Sequence, residues 1–65
     1  MQTESTPQLL RKLRGKKSVK EVSKALGISE QSIYAYERGT RTPNDEKKKR
    51  IAKYYNRGIR FLFYR

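Results

Sequence analysis

Residues 18–39 read SVKEVSKALGISEQSIYAYERG, a stretch that predicts two short helices joined by a tight turn. Ser18 and Ser29 are placed as N-caps, because a serine hydroxyl accepts a hydrogen bond from a free N–H of the first helical turn. A glutamate three residues after Ser18 completes the pattern of a capping box. Gly27 and Gly39 follow the two helical segments, where glycine readily takes the left-handed conformation that ends a helix.

The apolar residues of this stretch lie at helical spacing. They are Val19, Val22 and Leu26 in the first segment, and Ile33 and Tyr36 in the second. This spacing gives each helix one face for a core and leaves the intervening polar positions outside. Spacing alone predicts a compact α-hairpin, which many small helical domains contain.

The segment before this stretch predicts another helix. Thr6 is expected as its N-cap and Pro7 as its first residue, since proline is favoured there. The apolar stripe consists of Leu9, Leu10 and Leu13, and Gly15 ends the helix. We expect residues 1–6 to form a flexible N-terminus.

The segment after the stretch predicts one helix and an ambiguous tail. Residues 40–45 read as a loop in which either Thr42 or Asn44 caps a helix that runs to about Tyr55. Residues 59–65 fit a short helix or an alternating strand, and we favour the helix. The sequence therefore predicts one all-α domain over residues 7–65, a compact bundle of four to five short helices.

The charge of the chain points to a polyanionic partner. The 65 residues include 17 Lys or Arg and 6 Asp or Glu, which gives a formal charge of +11. Nucleic acid is the commonest polyanion in the cytoplasm, but charge alone does not separate DNA from RNA or from an acidic protein. Basic residues within 47–60 add to the charge without an evident role.

The composition argues against several classes of function. The chain has no Cys and no His, so thiol nucleophiles, imidazole bases and nearly all transition-metal sites are excluded. We therefore predict no enzyme, no metal and no cofactor. No apolar run approaches the ~20 residues of a membrane span. The N-terminus lacks the features of a signal peptide, so we expect a cytoplasmic, nucleoid-associated protein with no membrane partner.

Two motifs are informative, LGISEQSI at 26–33 and YERGTRTP at 36–43. They resemble the Cro/CI-type helix-turn-helix family of phage repressors and small bacterial regulators. The segments IAKYYN at 51–56 and LFY at 62–64 are also similar to the end of such domains, so the resemblance covers roughly residues 9–64. It implies a lambda repressor-like domain of five helices that generally binds operator DNA as a dimer, with a helix-turn-helix unit at about 18–38.

The resemblance also implies the contact residues. Those expected to read bases are Gln31, Glu30, Tyr34 and Ala35. Those expected to contact phosphates are Ser18, Lys20, Ser32, Arg38, Thr40 and Arg41. Gln31 is the strongest expectation, because a carboxamide can bond adenine through two hydrogen bonds in the major groove. Glu30 could accept from a cytosine amino group, and Tyr34 could contact a thymine methyl or a phosphate.

Two further residues are expected to be structural. Glu37 is expected to pair with Arg14 and bridge the first and third helices, as the resemblance implies, and a catalytic role for it is disfavoured. Ser23 stands where the family usually has an inward alanine, so its hydroxyl must bond a nearby carbonyl if it is buried.

The function that follows from the motifs is sequence-specific binding of double-stranded DNA as a Cro-like or repressor-type regulator. The helix at about 29–38 would enter the major groove of a palindromic operator. We expect a homodimer formed through the C-terminal region, and no small-molecule effector. An antitoxin or antirepressor that reuses the fold is the alternative, and an exposed patch of Phe61, Phe63 and Tyr64 would favour it. An RNA binder would need stacking platforms on one face, which the pattern does not show.

Overall fold

A computed structural model describes residues 5–64, which form five α-helices and no strand. In chain order these are α1 (Thr6–Arg14), α2 (Val19–Leu26), α3 (Glu30–Arg38), α4 (Asp45–Tyr55) and α5 (Ile59–Phe63). The predicted all-α fold is confirmed, and the ambiguous tail is helical through Phe63. The rest of the predicted flexible N-terminus, residues 1–4, lies outside the described residues, as does Arg65. Across residues 5–64, each helix is too short or too polar to traverse a bilayer.

The start of α1 differs from the prediction. Ser5 is the N-cap rather than Thr6, and it forms a capping box in which its hydroxyl accepts from the Gln8 N–H at 3.4 Å. The Thr6 hydroxyl is engaged elsewhere, because it donates to the Leu62 carbonyl of α5 at 2.6 Å. Thr6 is thus the first residue of α1 and Pro7 is the second, so the predicted positions of the N-cap and of the first helical residue are each wrong by one.

One hydrophobic core holds the five helices together. Helix α1 packs against α3 and α5, α2 packs against α3 and α4, and α4 packs against α5. The buried residues that form the core cluster are Leu9, Leu10, Val19, Val22, Leu26, Ile28, Ile33, Tyr36, Ile51, Ala52 and Leu62. All the apolar positions quoted from residues 18–39 are among them. The helix-turn-helix segment therefore forms about half of the core, which fixes its position in the domain.

The helix ends explain why the chain turns where it does. Asn44, one of the two predicted caps, starts α4 by accepting from the Lys47 N–H at 2.9 Å. Asn56 ends α4 in a left-handed conformation with φ of 56°. Gly39 ends α3 with φ of 82°, and a Cβ atom there would lie 3.1 Å from the Pro7 ring. Glycine is therefore favoured at residue 39 both by the backbone conformation and by the close approach of Pro7 on α1.

Several basic residues of the 47–60 segment have structural partners. The Arg50 guanidinium donates to the Leu26 carbonyl at the end of α2, at 3.0 Å. The Lys48 ammonium lies 4.6 Å from the centroid of the Tyr64 ring, a distance typical of a cation–π contact. Arg57 donates to the Asn56 carbonyl at 3.1 Å. Part of the positive charge that the sequence left without a role thus ties α4 to α2 and to the chain end.

Candidate nucleic-acid interface

The turn between α2 and α3 is fastened by Ser23. Its backbone carbonyl accepts from the N–H groups of Gly27 and Ile28, at 2.9 and 3.2 Å. Its side-chain hydroxyl donates to the Ile28 carbonyl, which confirms that the half-buried serine bonds a nearby carbonyl. Gly27 takes the left-handed conformation with φ of 68°. These bonds fix the direction in which α3 leaves α2.

Helix α3 has one buried side and one exposed side. Ile33 and Tyr36 point into the core, as predicted from their spacing. Four of the predicted contact residues, Glu30, Gln31, Tyr34 and Arg38, lie on the exposed side. Tyr34 is a large aromatic residue that remains 47% exposed, so its ring is accessible to solvent and to a ligand.

Two residues of α3 that the sequence placed at the interface are buried instead. Ala35 is 6% exposed and Ser32 is 7% exposed. The Ser32 hydroxyl accepts from the Ser29 hydroxyl at 2.9 Å, so it belongs to the N-cap of the helix. Helical rotation of about 100° per residue places both side chains on the flank of α3 that faces the domain rather than on its outer side. Of the predicted contact residues on α3, these two are therefore the ones whose side chains the domain does not expose.

The remaining predicted contact residues flank α3 and are exposed. Ser18 caps α2, and its hydroxyl accepts from the Glu21 N–H at 3.0 Å. Lys20 follows it on the first turn of α2. After α3, Thr40 donates its hydroxyl to the Ala35 carbonyl at 3.3 Å, and Arg41 lies in the loop that follows.

The expected pair between Arg14 and Glu37 is present and bidentate. The Arg14 Nε and Nη2 atoms donate to the two carboxylate oxygens of Glu37, at 2.8 and 3.0 Å. Arg14 also donates to the Lys17 carbonyl at 2.7 Å, which fixes the linker between α1 and α2. The hydrogen bonds that Arg14 donates to Glu37 raise the pKa of Arg14 above its ordinary value. The pair joins α1 directly to α3.

The phenol of Tyr55 lies near the same carboxylate. Burial of the ring is the main cause that raises the pKa of Tyr55 to about 12, and the negative charge of Glu37 adds to it. The neutral phenol is therefore the form that the folded protein favours.

This shift predicts a loss of stability at high pH. The unfolded chain ionises Tyr55 near its ordinary pKa of about 10, whereas the folded protein holds the proton until about pH 12. The free energy of unfolding should then fall as the pH rises between these values. Urea unfolding of the wild type and of Tyr55→Phe, measured from pH 8 to 11.5, checks this. The variant should lose less stability over that range, and identical slopes for the two proteins would contradict the assignment.

One surface near α3 was not found from the sequence. A groove of about 190 Å³ lies between α1 and α3, and it is lined by Arg11, Arg14, Tyr34, Glu37 and Arg38. Arg11 is not among the contact residues expected from the sequence. Its position three residues before Arg14, which bridges to Glu37, is the signal that would have placed it beside α3.

The comparison with known families agrees with this geometry. Five helices with a capped turn between α2 and an outward-facing α3 define a helix-turn-helix domain. A helix-turn-helix family model matches residues 8–62, and the chain belongs to that family, the Cro/CI-type helix-turn-helix domains. No curated protein and no solved structure matches the chain.

Proposed function

We propose that this protein is a sequence-specific regulator of transcription that binds double-stranded DNA, of the Cro-like or repressor type. The observation that supports it best is the exposed side of α3. Polar and aromatic side chains remain outward there, while the opposite side of the helix is locked into the core. A short helix held in this way fits the major groove of B-DNA. The protein would act by binding alone and would not catalyse a reaction.

The residues that read bases would be Gln31, Glu30 and Tyr34. Gln31 lies on the first turn of α3, where recognition helices approach the base edges, and its carboxamide can bond adenine through two hydrogen bonds. Glu30 could accept from cytosine, and Tyr34 could contact a thymine methyl. Ala35 and Ser32 are not part of this proposal, because their side chains are buried.

Contacts to phosphates would come from both ends of the helix-turn-helix unit. Ser18 accepts its capping bond through its oxygen, which leaves the hydroxyl hydrogen to donate to a phosphate. Lys20 lies beside it near the positive end of the α2 dipole. Arg38, Arg41 and the backbone around Thr40 lie at the other end. Such contacts set the position on the duplex without reading its sequence.

The C-terminal end is the surface where we propose a homodimer. Phe61 and Tyr64 are 50% and 56% exposed, so two large aromatic side chains are accessible to a partner at this end of the domain. Two copies joined there would present two α3 helices to successive major grooves about 34 Å apart, on a palindromic operator.

The same exposed aromatics favour a second candidate, a protein-interaction module such as an antitoxin or antirepressor. Phe63, the third residue of the predicted patch, is partly buried and packs against the core. Sedimentation separates the two candidates. A concentration-dependent dimer that retains duplex DNA at ~0.1 M salt supports the regulator. A monomer that releases DNA and binds the product of a neighbouring gene supports the alternative.

Gln31→Ala tests base reading. After an operator has been selected from random duplexes, this variant should lose about 1–3 kcal/mol of discrimination at one base pair, since alanine makes no bidentate contact. The affinity for random duplex should stay unchanged. Electrophoretic mobility shifts with operators substituted at each position measure both quantities.

Arg41→Ala is the matched control for this experiment. It should weaken operator and random duplex alike and lower the slope of log K against log salt by about 0.9, because a phosphate contact is lost. If both variants weakened all duplexes equally, the assignment of Gln31 as a base reader would be wrong.

A further inference from the structure

The groove between α1 and α3 is lined mainly by basic side chains. Arg11 and Arg14 lie one helical turn apart on α1, and Tyr34 and Arg38 lie one turn apart on α3, so the four side chains face one another across the groove. Glu37 lies between them. Three guanidinium groups and one carboxylate line the groove, which gives a local charge of +2.

The carboxylate does not neutralise the two outer arginines. Both oxygens of Glu37 accept from Arg14, at 2.8 and 3.0 Å. Within residues 5–64, the salt bridges are those of Arg14 with Glu37 and of Arg50 with Glu46, so Arg11 and Arg38 have no ion-pair partner there. Two like charges held on one groove without a counterion favour an anionic ligand.

The groove is continuous with the side of α3 proposed to read bases. Gln31, Tyr34 and Arg38 follow one another at i, i+3 and i+7, which places them along one side of the helix. Tyr34 both lines the groove and is exposed on that side. A ligand in the groove would therefore lie directly beside the bases that Gln31 contacts.

We propose that the groove binds one phosphodiester group of the duplex, held by Arg11 and Arg38 with the Tyr34 hydroxyl as an additional donor. Guanidinium groups suit this ligand because their planar N–H donors match the geometry of phosphate oxygens. Arg11 is then a DNA contact supplied by α1, outside the helix-turn-helix unit. This inference rests on the proposed function, since it assigns a further phosphate contact to the same interface.

The first experiment compares Arg11→Gln with Lys53→Gln. Both variants remove one positive charge from an exposed helical position, but Lys53 lies on α4, away from the groove. Arg11→Gln should weaken duplex binding about tenfold, as expected for the loss of a charge-assisted hydrogen bond, and lower the salt slope by about 0.9. Lys53→Gln should change the affinity less than about twofold. Equal effects of the two variants would overturn the proposal, and circular dichroism confirms that both are folded.

The second experiment identifies the phosphate. Operators that carry one uncharged methylphosphonate at each backbone position in turn are bound to the wild type and to Arg11→Gln. One position per half-site should weaken the wild type strongly and Arg11→Gln less, because the variant keeps only the contacts from Arg38 and Tyr34 to that phosphate. In Arg38→Gln, a methylphosphonate at that same position should likewise reduce the affinity less than it does in the wild type. Equal sensitivity of the wild type and both variants at every position would overturn the proposal.

The outcomes separate this inference from the proposed function. If Gln31→Ala still alters base preference while Arg11→Gln behaves like Lys53→Gln, the regulator stands and the groove is not a contact. If the wild type binds all duplexes equally, the regulator fails. A weaker affinity and a lower salt slope for random duplex in Arg11→Gln, but not in Lys53→Gln, would then still support the groove.

Discussion

Glu37→Ala is expected to lower the free energy of unfolding by about 3–5 kcal/mol. The carboxylate is 7% exposed, and its partner Arg14 is 18% exposed, so the substitution leaves a largely buried guanidinium without its counterion. The remaining bond from Arg14 to the Lys17 carbonyl offsets part of that cost, which favours the lower end of the range. Domains of this size have a small free energy of unfolding, so much of the variant should be unfolded at 37 °C.

Glu46→Ala is the matched control for this prediction. Glu46 pairs with Arg50 at 3.6 Å on the surface of α4, where the two side chains are 78% and 41% exposed. Such a pair contributes about 0–1 kcal/mol because water and salt screen it. Urea unfolding in a stabilising osmolyte keeps both variants measurable. Equal losses for the two variants would contradict a buried, structural role for Glu37.

A double substitution tests the cause of the loss. Arg14→Met combined with Glu37→Leu removes both charges and keeps apolar volume between α1 and α3. It should recover most of the stability lost in Glu37→Ala, because the main cost is an unpaired buried charge. If the double variant were as unstable as Glu37→Ala, the bidentate geometry itself would be the stabilising element.

The helix-turn-helix unit could be predicted because its signals are local. Ser18, Ser29 and the glycines at 27 and 39 act through bonds to residues within one helical turn, and all four lie where the sequence placed them. At the start of α1, local signals do not decide which residue is the N-cap. Two hydroxyl residues precede Pro7, and a contact with Leu62, 56 residues away, engages the hydroxyl of Thr6. The Ser5–Gln8 capping pattern was nevertheless present in the sequence.

The candidate interface was predictable in part for the same reason. A helical repeat separates the core residues of α3 from its outer residues, which correctly left Gln31 and Tyr34 exposed. The helical repeat does not predict how many of the residues that flank the core side of α3 are also buried. That number depends on how closely α1 packs against α3. The packing of α1 against α3 makes Arg11 part of a groove beside Arg38. The spacing of Arg11 and Arg14 on α1 indicates that contact only when it is combined with the pair between Arg14 and Glu37.

Leu62→Ala is expected to lower the free energy of unfolding by about 2–5 kcal/mol. The Leu62 side chain is fully buried, and its carbonyl accepts the Thr6 hydroxyl, so one residue joins α5 to both the core and α1. A helix of five residues, Ile59–Phe63, is far below the length that is stable in isolation. Its structure must therefore come from this packing.

Phe61→Ala on the same helix is the control. Phe61 is half-exposed, so its substitution should lower the free energy of unfolding less than Leu62→Ala does. Thermal unfolding by circular dichroism gives the order of the two effects, and amide hydrogen exchange shows where the protection is lost. In Leu62→Ala the amides of α5 should exchange before those of α2 and α3, because the buried side chain fastens α5 to the domain. Uniform exchange across all five helices would mean that α5 unfolds only with the whole domain. If Phe61→Ala proved the more damaging change, the aromatic ring rather than the buried leucine would hold α5 in place.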